Sequence, residues 1–261
     1  MKSVEPKVFF VGETKIRQEG VRAYLEHIGA SEWTSDASSD AEKMVEVMGR
    51  LCYRSFKPGL NPNVTKVRKG NRAYLENIIS TKHGSVLEHA FCNFIFTDVS
   101  RVFTHELVRH RAGVAISQES LRFVRVEDVS CWYPTVIRED ERAMTIFSSV
   151  LSKLEKVQQE LAQLYKLDTE GIPFHRKKVV TSAMRRLLPE GLATTIGWSA
   201  NIRTIRWVIE ARTAPEAEEE IRLVFGKVAE MMVKEYPNLF FDFEKEIVEG
   251  LPWWRPKYSK V

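Results

Sequence analysis

Thr104-His105-Glu106-Leu107-Val108-Arg109-His110-Arg111-Ala112-Gly113-Val114-Ala115-Ile116-Ser117-Gln118-Glu119-Ser120-Leu121-Arg122 is the most informative stretch of this 261-residue chain. On a helix, Phe103, Leu107 and His110 share one face while Val102, Glu106 and Arg109 share another. Neighbouring Arg109, His110 and Arg111 then point about 100° apart, so they cannot all grip one small group. Three such side chains at a helix end, followed by a glycine-containing turn and a hydroxyl-rich segment, suit an extended ligand with several anionic parts, or two ligands side by side. Guanidinium forks match phosphate. A solvated basic helix end, its cations near the negative pole of the dipole, gives the same pattern without a ligand. His105 and His110 lie roughly 140° apart around the axis, which excludes the four-residue spacing of helical zinc-protease sites, and no metal is expected.

Toward the N-terminus, Val8-Phe9-Phe10-Val11-Gly12 reads as a short strand and Ser31 to Ser39 as a polar connector. Asp40 to Tyr53 reads as a helix with Met44, Val45, Val47, Met48 and Leu51 largely on one side. Gly70 to Thr81 is helical by pattern, His83-Gly84-Ser85 is a loop, and Phe91 to Phe96 is a strand; Asp98 or Ser100 can cap the helix that follows. The longest helical signal runs from Glu141 to about Leu167. Met144, Phe147, Leu151, Leu154, Leu161 and Tyr165 form its apolar seam, Gln158 is its one polar break, and either a partner subunit or the chain's own core can cover it. Leu192 to Ser199 reads as a buried strand entering a helix from Ile202 to Ala211. Pro215 then opens a last long helix with Glu216, Glu218 and Glu219 in its first turn, where acids suit the dipole. Beyond Tyr236, the aromatic tail with Phe240, Phe241, Phe243, Trp253 and Trp254 is expected to dock on the domain or on a neighbour.

With 44% apolar residues the chain can bury one core, so one domain with small terminal extensions is expected. A net charge of +4 permits small anionic ligands but is too diluted, with acids interleaved nearly everywhere, for a nucleic-acid-binding face. Cys52, Cys92 and Cys131 form neither a disulfide framework nor a paired metal motif, and all three read as buried structural thiols in a reducing, cytoplasmic setting. No signal core and no membrane-length apolar run is present. Gly-rich dinucleotide, phosphate-loop and nucleophile-elbow motifs are absent as well.

Arg109-His110-Arg111, followed by Ser120 and Arg122, resembles the signature of the flavin-dependent thymidylate synthases. Arg54-Ser55-Phe56 and Leu87-Glu88-His89 upstream, and Arg185-Arg186-Leu187-Leu188-Pro189, Asn201-Ile202-Arg203 and Glu210-Ala211-Arg212 downstream, resemble further blocks of that family in the same order. The resemblance implies a mixed α+β, thymidylate synthase-complementing fold with a central, mainly antiparallel sheet and long helices. It also implies a homotetramer with active sites between subunits. Residues 1–40 would be an extension packed on the core, 41–236 the synthase domain and 237–261 the tail. The implied reaction is FAD-dependent methylation of dUMP to dTMP, with 5,10-methylenetetrahydrofolate and NADPH as co-substrates and without a cysteine nucleophile. By matching position, Ser55, His89, Arg109, His110, Arg111, Asn201 and Arg203 would contact the flavin. Glu106, Arg109, Gln118, Glu119, Ser120, Arg122 and Arg185 would surround dUMP, with Arg212 against the uracil ring as the catalytic group.

Two departures stand out. Eight residues separate Arg111 from Ser120 where the family signature has seven, and Gly113 is placed to absorb the extra one. Trp207 and Glu216 stand where the family commonly carries Asn and His. Each residue has a simpler role too: Ser55 and Asn201 as helix caps, His89 as a core histidine, Arg203 and Arg206 as a solvated face, and Arg212 as a cation at a helix C-terminus. A relative that binds flavin or nucleotide without turnover is the alternative functional reading.

Overall fold

The computed structural model describes residues 2–122 and 128–261. They fall into two compact units, each discontinuous in sequence: Met1–Phe9, Ile95–His110 and Ile116–Trp198 in one, Phe10–Phe94, Arg111–Ala115 and Ser199–Val261 in the other. The chain begins with β1 (Lys2–Ser3), β2 (Lys7–Glu13), α1 (Gln18–His27), α2 (Asp40–Tyr53) and α3 (Asn71–Ser80), then a 3-10 turn at Gly84–His89. Next come β3 (Phe91–Ser100), α4 (Arg101–Leu107), β4 (Val114–Gln118), β5 (Ser130–Cys131), α5 (Thr135–Arg138) and α6 (Glu141–Leu164). The remainder is α7 (Phe174–Met184), a 3-10 turn at Arg185–Leu187, β6 (Ala193–Asn201), α8 (Ile202–Arg212), α9 (Glu219–Glu235), β7 (Phe243–Val248) and β8 (Leu251–Pro256). Among the described residues, no helix is long and apolar enough to cross a membrane.

Strands β2, β3, β6 and β4 form the main sheet in that order. Their contacts run in opposite senses: Thr14 meets Phe91 while Lys7 meets Asp98, and Asn93 meets Ser199 while Thr97 meets Thr195. Asn201 pairs with Gly113 and Thr195 with Glu119 in the same manner. The sheet is therefore antiparallel, as expected. Along β6, Thr194, Ile196, Trp198 and Ala200 are buried in alternation, so one face of the strand looks into the core.

Both central strands run into helices without a loop. Ser100 ends β3 and accepts a hydrogen bond from the Phe103 N–H, capping α4, and Asn201 ends β6 and accepts from the Thr204 N–H, capping α8. Each cap satisfies a donor that the helix leaves open, worth about 1 kcal/mol. The first helical amides are taken up as well: Arg101 N–H donates to the Leu192 carbonyl and Ile202 N–H to that of Ala90. Ser100, rather than Asp98, is the cap; Asp98 lies inside β3 with a left-handed φ of 59°.

In the unit containing α2, a buried polar knot fixes how that helix ends. The Arg50 guanidinium and the Glu46 carboxylate pair at 2.8 Å, each side chain 2% exposed. Arg50 also donates to the main-chain oxygens of Ser55 and Arg68 and lies 4.3 Å from the Tyr74 ring centre. Asn71 and Ser35 donate to the second Glu46 oxygen. The charge is thus surrounded by partners, the condition under which a buried ion is tolerated.

The aromatic tail docks on its own unit. β7 and β8 form an antiparallel hairpin closed by Glu249 and Gly250, whose φ of 55° and 78° give a mirror-image tight turn. It lies against α9, where Gly226 admits it: a Cβ there would stand 2.6 Å from Pro252 Cγ. Arg206, assigned by sequence to a solvated face, is instead 3% exposed and bidentate with Asp242 at 2.8 and 3.0 Å. Helix α9 starts later than expected. Glu218 is its N-cap, its carboxylate accepting from the Glu220 and Ile221 amides, while Pro215 and Glu216 remain in the connection before it.

In the other unit, α6 spans nearly the expected length and turns Leu151, Gln158 and Ala162 inward. The polar break in its seam has a purpose, because the Gln158 amide donates to the Met184 carbonyl at the end of α7. Ile146, Phe147 and Val150 are exposed on the same helix.

The thiols divide differently from expectation. Cys92 and Cys131 are buried, whereas Cys52 is exposed because its position on α2 faces away from the packed side. Burial pushes the Cys92 thiol up from 9.0 to about 12, which suppresses its reactive thiolate. Titration of the native protein at pH 8 with a thiol reagent is expected to modify one cysteine quickly and three only after denaturation. Rapid reaction of Cys92, located by peptide mapping, would contradict this packing.

Candidate active site

In the first unit, α4 carries Glu106 and stops at Leu107, with Val108 as its C-cap. Arg109, His110 and Arg111 therefore sit in the turn after the helix and not on its last turn. The reason is local: the Arg109 and His110 amides reach back to the Glu106 and Leu107 carbonyls in three-residue steps, which tightens the chain out of the α-helix. His110 is 4% exposed and Arg109 is exposed, so the run divides between core and surface.

Strand β4 was not evident in the sequence, although Val114, Ile116 and Gln118 alternate along it. It sets the next group of expected ligands. The Gln118 amide donates to Thr104 Oγ1 at 3.1 Å. Glu119 is fixed twice to Thr195, its N–H donating to the Thr195 carbonyl and its carboxylate accepting from the Thr195 N–H. Ser120 Oγ accepts from the Arg122 N–H at 3.4 Å. The Arg122 carbonyl accepts from Thr181 Oγ1 at 3.0 Å, and Arg185, four residues after Thr181, is the C-cap of α7 and opens the 3-10 turn that follows. Arg122 and Arg185 are both exposed, so this end of α7 offers two guanidinium groups to solvent.

In the second unit, a cavity of about 310 Å3 opens at the N-terminus of α8. Gly113, Asn201, Arg203, Thr204 and Trp207 line it, with Glu88 opposite. Asn201 serves two ends: its side-chain oxygen caps α8, which leaves the amide NH2 turned toward Gly113. Gly113 has a left-handed φ of 66°, and a Cβ there would come within 2.2 Å of the Asn201 amide nitrogen. A side chain would therefore close the cradle, whether or not Gly113 absorbs the extra loop residue. Thr204 Oγ1 holds the loop by donating to the Ala112 carbonyl. Arg203 donates to Glu88 at 2.6 Å, and Trp207, four residues along the same helical face, is 44% exposed at the rim.

Of the residues expected to hold flavin, Asn201 and Arg203 line this cavity. Arg111 immediately precedes lining residue Ala112, and His89 follows lining residue Glu88. His89 is exposed and is no core histidine. Ser55 does not line it. It adjoins a second cavity of about 400 Å3 in the same unit, where Trp33, Phe56, Lys57 and Arg68 form part of the wall. Arg212 lies at the opposite end of α8 from Arg203, and Glu216 is exposed in the connection that follows. Thr204 and Glu88 were not singled out individually as ligands. The four-residue step from Arg203 to Trp207 places only those two on one face of α8.

The class this defines is an α+β protein in which a strand-to-helix elbow presents Asn201 and Arg203 to an open cavity, a common form of small-molecule site. The sequence model described as thymidylate synthase complementing protein matches residues 35–238. Among curated proteins, the flavin-dependent thymidylate synthase of Corynebacterium glutamicum is 36% identical over 218 residues, 82% of this chain and 84% of that one. That of Mycolicibacterium gilvum is 35% identical over 216 residues, 82% and 83% of the two chains. The chain belongs to the flavin-dependent thymidylate synthase family. Its fold is shared with the solved UMP/dUMP methylase PolB of Streptomyces cacaoi, with a TM-score of 0.61, 16% identity and coverage of 92% and 94%. The thymidylate synthase X of Helicobacter pylori, solved with FAD and dUMP, gives a TM-score of 0.58, 18% identity and coverage of 91% and 98%.

Proposed function

We propose that this chain methylates dUMP to dTMP with FAD as its redox cofactor, taking the carbon from 5,10-methylenetetrahydrofolate and reducing equivalents from NADPH. The observation that carries the reading is the cavity at the start of α8, where Gly113, Asn201, Arg203 and Trp207 come together in a chain of this family. These groups suit a flavin nucleotide. An amide and a guanidinium can hold its polar and anionic parts, an indole can flank its ring, and a bare glycine leaves room for close approach. When bound, FAD supplies the hydride chemistry.

The chain's own residues bind and orient. Arg109, His110 and Arg111 extend the flavin-holding set, together with Ser55 and His89. Arg122 and Arg185 neutralise the phosphate of dUMP, while Glu106, Gln118, Glu119 and Ser120 supply hydrogen-bonding groups around the nucleotide. Arg212 acts on negative charge that develops on the pyrimidine, a preorganised electrostatic role. Assembly into a homotetramer would bring residues from different copies into each active site. The N-terminal extension over residues 1–40 and the tail over 237–261 serve as packing around the synthase domain of 41–236.

The direct test is anaerobic reduction of the FAD-loaded protein followed by dUMP and methylenetetrahydrofolate. Oxidation of the flavin with matching dTMP formation is the expected result. Bound flavin without product would leave only a flavin-binding relative. Arg212→Ala is expected to retain FAD and dUMP binding but to lose about 100-fold or more in turnover, since a group that acts on transition-state charge matters little in the ground state. Unchanged turnover would remove Arg212 from catalysis.

A further inference from the structure

Beyond β8 the chain returns to the start of α8. The Tyr258 N–H donates to Asp242 at 3.0 Å and Ser259 Oγ to Glu210 at 2.5 Å, which anchors these two residues along the helix. Lys260 then turns with a left-handed φ of 55°, and Val261 lands buried, 6% exposed, at the wall of the cavity described above. Its main-chain oxygen accepts a hydrogen bond from Arg203 Nε at 3.0 Å, while Arg203 Nη1 donates to Glu88. Gly84 is the seat of this contact. A Cβ on Gly84 would lie 2.2 Å from the Val261 carbonyl carbon and 2.9 Å from Arg203 Nε.

We infer that Lys260–Val261 is a strap that holds Arg203 until an anionic cofactor displaces it. The inference rests on reading the cavity as the flavin-nucleotide site. A phosphate engaging Arg203 side-on needs Nε together with an Nη group, the fork that matches two oxygens of one anion. Nε is occupied by Val261, so cofactor binding through that edge must break a formed hydrogen bond and move the segment off Gly84. The left-handed Lys260, outside the conformations a lysine favours, lowers the cost of release. Tyr258 and Ser259 have partners of their own, so the segment can leave Gly84 without undoing those contacts. The strap thus reduces apparent affinity by the fraction of molecules in which it is docked.

The test compares FAD binding by the intact chain, a chain trimmed after Ser259, and Gly84→Ala, each measured by flavin fluorescence quenching. Removal of the strap is expected to tighten FAD binding by several-fold to about tenfold, and Gly84→Ala, whose Cβ crowds Arg203 Nε as well as Val261, is expected to release the strap with a smaller gain than trimming. Equal or weaker binding by the trimmed chain would overturn the strap and make Lys260–Val261 a passive wall or a direct ligand. Failure of all three proteins to bind FAD would overturn the reading of the cavity itself, and the strap with it.

Discussion

Arg50→Ala is expected to lower unfolding free energy by about 3–5 kcal/mol, because it leaves the buried Glu46 carboxylate without its counter-charge. The side chains of both residues are 2% exposed, so solvent screens little of the loss. The substitution also removes two donors, to the Ser55 and Arg68 carbonyls, and so frees both ends of the segment leading from α2 toward α3. Against a total stability of roughly 5–15 kcal/mol this is a large fraction. Urea denaturation should show a lower midpoint, and limited proteolysis should cut first between residues 57 and 70. The double variant Glu46→Gln with Arg50→Met should recover much of the loss, since removing both charges avoids an unpaired one. A midpoint for Arg50→Ala within about 0.5 kcal/mol of the parent would mean that water reaches this knot.

Arg206→Ala is the second change of that size, and its damage should appear at the tail. Arg206 holds Asp242 through both oxygens, donates to the Leu239 carbonyl at 2.6 Å, and has the Phe243 ring 4.8 Å away. Asp242 in turn accepts from the Tyr258 N–H, so the pair secures both sides of the β7–β8 hairpin. Loss of about 3–5 kcal/mol is expected. A red shift in tryptophan emission should accompany it as Trp254, now 7% exposed, meets water. Lysine at 206 should restore little, because one ammonium cannot reproduce the planar fork. Unshifted emission together with parental stability would show that the hairpin docks through its apolar contacts alone.

Much of the fold was legible where periodicity and capping agree. Helices α2, α6 and α8 and strand β6 lie close to where apolar spacing puts them, and Ser100 caps as its position before a helical run suggests. The failures have local causes. Pro215 and Glu216 mimic a helix start, but the Glu218 carboxylate captures the first amides and sets the boundary three residues after the proline. The β7–β8 hairpin was missed because Glu249-Gly250 is an uncommon spelling of a tight turn. Arg206 was misjudged because its acid lies 36 residues away, beyond any helical spacing. In the candidate site, Asn201 and Arg203 came from ordered motifs, and the structure sets them on one cavity. The contact of Val261 with Arg203 spans 58 residues and has no local pattern to announce it.

Each compact unit is assembled from three separate stretches, and all four strands of the main sheet, β2, β3, β6 and β4, change unit partway along their length. No single cut can therefore release either unit as a continuous fragment, and no exon-sized piece encodes one. Exchange of one unit between relatives as a cassette would need several coordinated splices. Synthesis on the ribosome must also wait for β6 before β3 gains its second neighbour, so the central sheet closes only after three-quarters of the chain has emerged. Such long-range pairing makes for slow folding and prolonged exposure of strand edges. Expression yield should accordingly respond to chaperones and growth temperature more than a locally wired helical protein of this size would.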